Sequence, residues 1–321
     1  MKNAPPGDLD KPSERVVDRR RPGRMPVVHK QLVPILRGET EAEIVPARPS
    51  HPPQPTSRVE RTRKACAACQ DPREVPALSM AFQPIVDLQE HRIDAYEALV
   101  RGVNGEGAGN MLKWATAENL YAFDQACRVK AIELAAGLGI DRNLNINFLP
   151  NAVYEPRACI RATLDAAART GFDPRRLTFE IVETEWISEN SHLLNIITEY
   201  RKMGFRVALD DFGSGYSGLV RLAALRPDII KVDRALVQDC DQSQTKLAVV
   251  ASLISLGAAI GVKVVLEGVE RSSEVEALRS VGARFMQGFY FAKPSFEKLV
   301  TDADLNWSGP GSVVGSGAPR L

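Results

Sequence analysis

From Met80 onward, short β-rich runs alternate with stretches of helical length, and this alternation limits the fold more than any other feature of the chain. Residues 81–87 and 92–100 are two strand-like runs joined by the polar turn 88–91, a hairpin signal. Further strands are expected at 143–148, 177–182, 205–209, 228–232, 263–266 and 284–290. Helices are expected between them at 110–138, 155–170, 190–203, 243–260 and 271–281. Strands that alternate with helices of this length form parallel βαβ units. About eight strands is the number that closes a TIM-like β/α barrel. The runner-up is an open doubly wound sheet. That fold carries a Gly-rich turn after its first strand, and none follows residue 87.

The polar residues fall in a pattern. Glu97, Asn147, Glu180, Glu183, Asp210, Asp211, Lys231, Glu267 and Gln287 each stand at or near the C-terminal end of an expected strand. In β/α barrels that face holds the active site. Converging carboxylates repel one another unless a cation or a metal joins them, and hard oxygen ligands suit Mg²⁺ or Mn²⁺. Taken singly, an Asp or Glu after a strand is more often a helix cap or a solvated loop residue. Glu180 and Lys231 resist that reading, because apolar residues flank both. The run Asp210-Asp211-Phe212-Gly213-Ser214-Gly215 adds a loop whose glycines let backbone approach a ligand closely. Its Asp-Phe-Gly triplet resembles the kinase metal loop, but the kinase Gly-rich and His-Arg-Asp loops are absent from the sequence.

Taken together, these segments resemble the EAL domain family of bacterial signalling enzymes, from Phe82 to Pro294. The name motif is Glu97-Ala98-Leu99, followed by Val100 and Arg101. Phe82-Gln83-Pro84-Ile85 resembles the family's opening strand, and Asp210 to Ser217 its loop signature. Lys231-Val232-Asp233, Glu267-Gly268-Val269-Glu270 and Gln287-Gly288-Phe289 follow in the family's order. One such tripeptide is worthless as a signal, whereas an ordered series over most of a domain is a strong one.

The resemblance implies a TIM-like barrel whose first strand runs antiparallel to the others, spanning 75–300. It implies hydrolysis of cyclic-di-GMP to linear pGpG with two Mg²⁺ or Mn²⁺ ions per active site. Glu97, Asn147, Glu180, Asp210 and Glu267 are then ligands of one ion, and Asp210 and Asp211 of the second. Lys231 orients or deprotonates the attacking water. Arg101 holds a substrate phosphate, and Gln83 and Gln287 lie against the ligand or its coordinated water. Glu183 fixes the loop after Asp210-Asp211, which is also involved in homodimer formation. Val182, Gly218 and Phe148-Leu149-Pro150 depart from the usual pattern without removing a proposed ligand. The last leaves Asn145 as a rival to Asn147, two residues away on the same strand face; the spacing to Pro150 favours Asn147. The alternative function is a cyclic-di-GMP receptor that does not cut its ligand; such members typically lose metal ligands, and none is lost here.

Composition sets the flanks. Residues 1–65 hold 14 Lys/Arg, 8 Asp/Glu and 11 of the 21 prolines, with no aromatic residue. Such a segment buries too little apolar surface to offset its ordering entropy, so 1–74 is expected to be a disordered basic arm and 301–321 a flexible tail. Arg19-Arg20-Arg21 and Arg61-Thr62-Arg63-Lys64 are charge runs able to touch nucleic acid or lipid, though such runs are more often solvated. Cys66 and Cys69 supply only half of a zinc set. Five cysteines, an odd number, fit a reducing cytoplasm. The first ten residues lack an apolar signal core, no recognisable sensory domain precedes the barrel, and the longest nearly apolar run, 247–262, is too short to span a bilayer.

Overall fold

The chain enters its fold through the expected hairpin. In the computed structural model, which describes residues 75–116, 119–153, 155–182, 190–215 and 218–307, β1 (Leu78–Asp87) and β2 (Arg92–Gly102) pair antiparallel with Gln83 opposite Glu97. The turn is made by Asp87, whose Oδ1 accepts the backbone N–H groups of Gln89 and Glu90 at 3.0 and 3.2 Å, as short acidic side chains do in turns. Pro84, which cannot donate to a ladder, sits next to a register shift between Ile85 and Val86. The basic arm 1–74, Cys66, Cys69, Glu183 and the segment 308–321 lie outside the described residues.

Six strands follow: β3 (Asn143–Asn147), β4 (Leu177–Val182), β5 (Arg206–Phe212), β6 (Ile229–Val232), β7 (Lys263–Leu266) and β8 (Phe285–Met286). From β2 to β8 each pairs in parallel with the next, and β8 closes antiparallel on β1. The result is a closed eight-stranded barrel with β1 antiparallel to both neighbours, as expected, and the open sheet is excluded. A ninth strand, β9 (Ser295–Phe296), lies against β1.

Helices wrap the outside and are stopped by local chemistry. Ser243 Oγ caps the helix Gln244–Ile260 by accepting the Lys246 N–H, and Gly261 ends it with φ +70°. The helical region expected over 110–138 consists of two helices, Ala108–Leu112 and Leu120–Gly137. The short helices Gly218–Leu225 and Arg234–Val237 were not anticipated, because neither is long enough to display a period.

The main core lies between strands and helices, where Phe148, Phe179, Tyr200 and Phe205 pack in tilted and edge-to-face pairs at centroid distances of 5.1–5.8 Å. A smaller core fills the lower barrel: Ile85, Ala95, Ala208, Ile229 and Val265, with Phe285 against them. Above that plug the interior turns polar. Residues 301–307, assigned from the sequence to the flexible tail, are bound to the hairpin instead. Asp302 Oδ1 accepts the Ile93 N–H at 2.6 Å, its Oδ2 meets Arg142 at 3.1 Å, and its carbonyl accepts Trp307 Nε1–H at 2.7 Å. The described domain therefore runs at least to Trp307. No helix among the described residues is long and apolar enough to cross a membrane.

Candidate functional site

Alternation along the strands decides which side chains reach the polar half of the barrel. Glu97 stands two residues above Ala95, Asp210 two above Ala208, Lys231 two above Ile229, and Glu267 two above Val265, so each shares the inward face of its plug residue. Glu180 faces the same space from β4. Lys231, 1% exposed, places its ammonium among four of these carboxylates: 3.2 Å from Glu97, 3.0 Å from Glu180, 3.0 Å from Asp210 and 2.7 Å from Glu267. Asp211 joins them by a local irregularity. Consecutive residues normally point to opposite faces, but β5 shifts register between Leu209 and Phe212, and Asp211 takes φ +53°. Its N–H meets Asp210 Oδ1 at 3.1 Å, and its carbonyl accepts the Ser214 N–H and hydroxyl.

Amides complete the ring. Asn147 Nδ2 donates to Glu97 Oε1 at 3.0 Å, and Gln287 Nε2 donates to Glu97 Oε2 at 2.8 Å and faces Gln83 Oε1 at 3.3 Å. Gln83 Nε2 donates to the Ala292 carbonyl at 3.1 Å. Asn145 Nδ2 donates to Glu180 Oε1 at 2.8 Å. Both asparagines thus reach the cluster, Asn147 at the strand's outer end and Asn145 one level deeper; sequence spacing offered them only as rivals. Arg101 lies half-buried further along β2, its Nη1 donating to the Val100 carbonyl at 2.8 Å. Gly288 explains how Gln287 is held close: a Cβ there would sit 2.0 Å from the Val269 carbonyl oxygen, so the backbone after β8 can press against the loop that follows Glu267 only at a glycine.

The electrostatics are those of an overfilled acid cluster. Five carboxylates less one ammonium leave four negative charges uncompensated when all are ionised. Burial raises Glu180 well above the usual carboxylate range, with Glu97, Asp210 and Glu267 adding to the rise against the pull of Lys231. Burial and Asp210 do the same to Glu267, and burial with Glu97 raises Asp210 against the pull of Lys231. Asp211 is pushed up to about 7 by burial, then by Asp210 and Asp233. Glu97 goes the other way: burial opposes it, but Lys231, Gln287 and Asn147 hold it ionised. Burial alone would lower the Lys231 ammonium; Asp210, Glu180, Glu267 and Glu97 outweigh it and hold the lysine protonated.

This donor set fits divalent cations. Ligand oxygens of Glu97, Glu180 and Asp210 lie within 4.8 Å of one another, and so do those of Asp210, Asp211 and Glu267, so Asp210 belongs to both groups. Glu180 Oε2 is buried without a hydrogen-bond partner, an acceptor that a cation would satisfy. The geometry sets Glu267 beside Asp210 and Asp211, whereas the sequence reading put it with Glu97 and Glu180. A third acidic group, Asp239, Asp241 and Glu274, is filled by Arg271 at 2.7–3.0 Å.

The signature of the EAL domain family matches residues 67–294. The chain belongs to that family. Its fold is similar to that of a standalone EAL protein from Vibrio cholerae O395 in its c-di-GMP-bound form, with 45% identity and a TM-score of 0.68, over 70% of this chain and 94% of that one. It is similar to Klebsiella pneumoniae BlrP1 in a manganese and cyclic-di-GMP complex, with 36% identity and a TM-score of 0.66, over 71% of this chain and 59% of that one. The cyclic di-GMP phosphodiesterase RocR of Pseudomonas aeruginosa is 35% identical over 167 residues, which are 52% of this chain and 42% of RocR. Three other curated relatives are matched over 26–53% of their own lengths. Within the EAL barrel, the departures at Val182 and Phe148-Leu149-Pro150 remove no side chain from the cluster, and Phe148 packs outward on Phe179.

Proposed function

We propose that this EAL domain hydrolyses cyclic-di-GMP to linear pGpG at the C-terminal mouth of its barrel, using two divalent cations, Mg²⁺ or Mn²⁺. The observation that carries the reading is the group of four carboxylates around Lys231, joined by Asp211 beside Asp210, which has too little positive charge of its own. Glu97, Asn147, Glu180 and Asp210 would hold one cation, and Asp210, Asp211 and Glu267 the other. Bound there, the cations supply Lewis acidity toward the phosphodiester and make a water nucleophilic at neutral pH. Lys231, held protonated, donates to the attacking water and orients it rather than taking its proton. Arg101, on the strand that carries Glu97, holds a substrate phosphate; Gln287 fixes Glu97, and with Gln83 beside it lines the ligand. Glu183, outside the described residues, steadies the loop after Asp211.

The test is direct. Purified protein with cyclic-di-GMP and Mg²⁺ should yield pGpG, and chelation should stop it. Binding without cleavage in either Mg²⁺ or Mn²⁺ would establish the receptor function instead.

The working unit we propose is a homodimer. Leu219 and Val220, 62% and 72% exposed, open the helix that follows the Asp211–Gly215 loop, and adjacent exposed apolar side chains favour a partner surface. Light scattering that finds a fully active monomer would refute this.

A further inference from the structure

The helix Leu120–Gly137 stands outside the barrel, yet it grips the chain just behind Asn147. Asp124 Oδ1 accepts the Leu149 backbone N–H at 3.1 Å, and its Oδ2 accepts Arg128 Nη2 at 2.5 Å. Arg128 is wholly buried; its guanidinium lies 5.6 Å from the centre of the Phe148 ring, with Nη1 facing Thr163 Oγ1 at 3.5 Å. Gln125, from the same helix, donates to the Cys159 carbonyl. The two residues after Asn147 are therefore each held by one member of the pair, Leu149 through its backbone and Phe148 through its ring. Phe148 also packs against Phe179, beside Glu180 on β4.

Stability does not explain such a pair. Burial raises Asp124 against the pull of Arg128, and two ions removed from water commonly gain less from each other than they lose in hydration. Well-packed apolar residues in their place are often neutral or stabilising. What the pair supplies is a fixed, directional hold on the exit of β3.

We propose that Asp124 and Arg128 form a buried clamp on Phe148 and Leu149 that sets Asn147 beside Glu97, and so sets the divalent-cation affinity of the centre. Neither residue touches the site; both are positioning residues. The inference rests on the reading of Asn147 as a cation-holding side chain.

The test uses the full chain and Mn²⁺ calorimetry, together with hydrogen exchange at the Leu149 amide. The double variant Asp124→Leu/Arg128→Met removes the clamp without stranding a charge. It should fold, exchange Leu149 faster, and bind Mn²⁺ about 10–100-fold more weakly, the usual cost of losing a partner that orients a ligand. Asp124→Asn/Arg128→Gln keeps an acceptor for the Leu149 N–H and should recover most of that affinity. In an Asn147→Ala background the apolar pair should have little further effect on Mn²⁺ binding. Wild-type affinity in the Leu/Met variant overturns the proposal, as does a loss that persists undiminished without Asn147. Should that variant not fold, Arg128→Lys, which keeps the charge but loses the flat contact with Phe148, must still weaken Mn²⁺ several-fold; unchanged affinity overturns the clamp. If the wild type itself binds no Mn²⁺, the metal reading fails. Unchanged Leu149 exchange in the Leu/Met variant would overturn the clamp by itself.

Discussion

Lys231 Nζ lies 2.7 Å from Glu267 Oε1, the shortest of its four carboxylate contacts, and the two side chains come from the adjacent strands β6 and β7. Among the described residues, Lys231 is the only cation within ion-pair distance of Glu97, Glu180, Asp210 and Glu267. It balances charge in the cation-free protein, and in the proposed reaction it orients the attacking water.

Lys231→Ala should expose both. Removing one partner of a buried ion pair costs about 3–5 kcal/mol, so the cation-free variant should melt well below the wild type, with part of the loss restored by saturating Mg²⁺. Turnover should fall by about 10²-fold, the cost of misplacing a reacting group. Cyclic-di-GMP affinity, measured by calorimetry in Ca²⁺, should change far less. Equal losses in binding and rate would make Lys231 a substrate ligand.

Glu97→Ala should abolish turnover and weaken Mn²⁺ binding while circular dichroism stays that of the folded protein. Glu97 collects Asn147, Gln287 and Lys231 at 2.8–3.2 Å, so its loss also frees the two amides. Near-normal turnover in Mg²⁺ would rule out its assignment as a ligand.

Much of this was legible from sequence, and the reasons are local. The barrel could be read because each strand is a short apolar run with one polar residue near its end, a pattern that depends only on neighbours in the chain. The same holds for Glu97, Glu180, Asp210, Lys231 and Glu267. The separate use of Asn145 and Asn147 could not be read, since strand periodicity puts both on one face and their partners, Glu180 for Asn145 and Glu97 for Asn147, come from different neighbouring strands. Asp124 and Arg128 left a faint signal, an acid and a base four residues apart in a helix. That spacing usually marks a solvated surface pair, and only the packing of Phe148 and Thr163 shows the pair to be buried. The hold on residues 300–307 depends on Ile93, Tyr96 and Arg142, all distant in sequence.

Truncation measures that hold. Ending the chain at Pro294 removes β9 along with the acceptors of the Ile93 N–H and the Tyr96 hydroxyl. At about 1 kcal/mol for each lost hydrogen bond and roughly 2–4 °C per kcal/mol for a domain of this size, the melting temperature should drop by about 10 °C. Ending it at Trp307 should change little, and a start near Glu74 should retain hydrolysis. A stable, active protein ending at Pro294 would show the strap to be dispensable.

The acid cluster also sets a pH dependence whose sign can be worked out. Asp211 titrates at about 7 in the folded, cation-free protein, against 3.8 for an ordinary aspartate, and Glu180, Glu267 and Asp210 are displaced in the same direction. Over the interval between these values the folded state binds more protons than the unfolded chain, so stability falls as pH rises through it. The cation-free melting temperature should therefore decrease from pH 6 to pH 8. A divalent cation needs those carboxylates ionised and must displace their protons. Mg²⁺ affinity should accordingly climb over the same interval, with proton release seen as a buffer-dependent binding heat, and the downward slope of stability should flatten once Mg²⁺ is saturating. Mg²⁺ affinity independent of pH between 6 and 8, with no proton release, would mean that these carboxylates are already ionised or that the cation binds elsewhere.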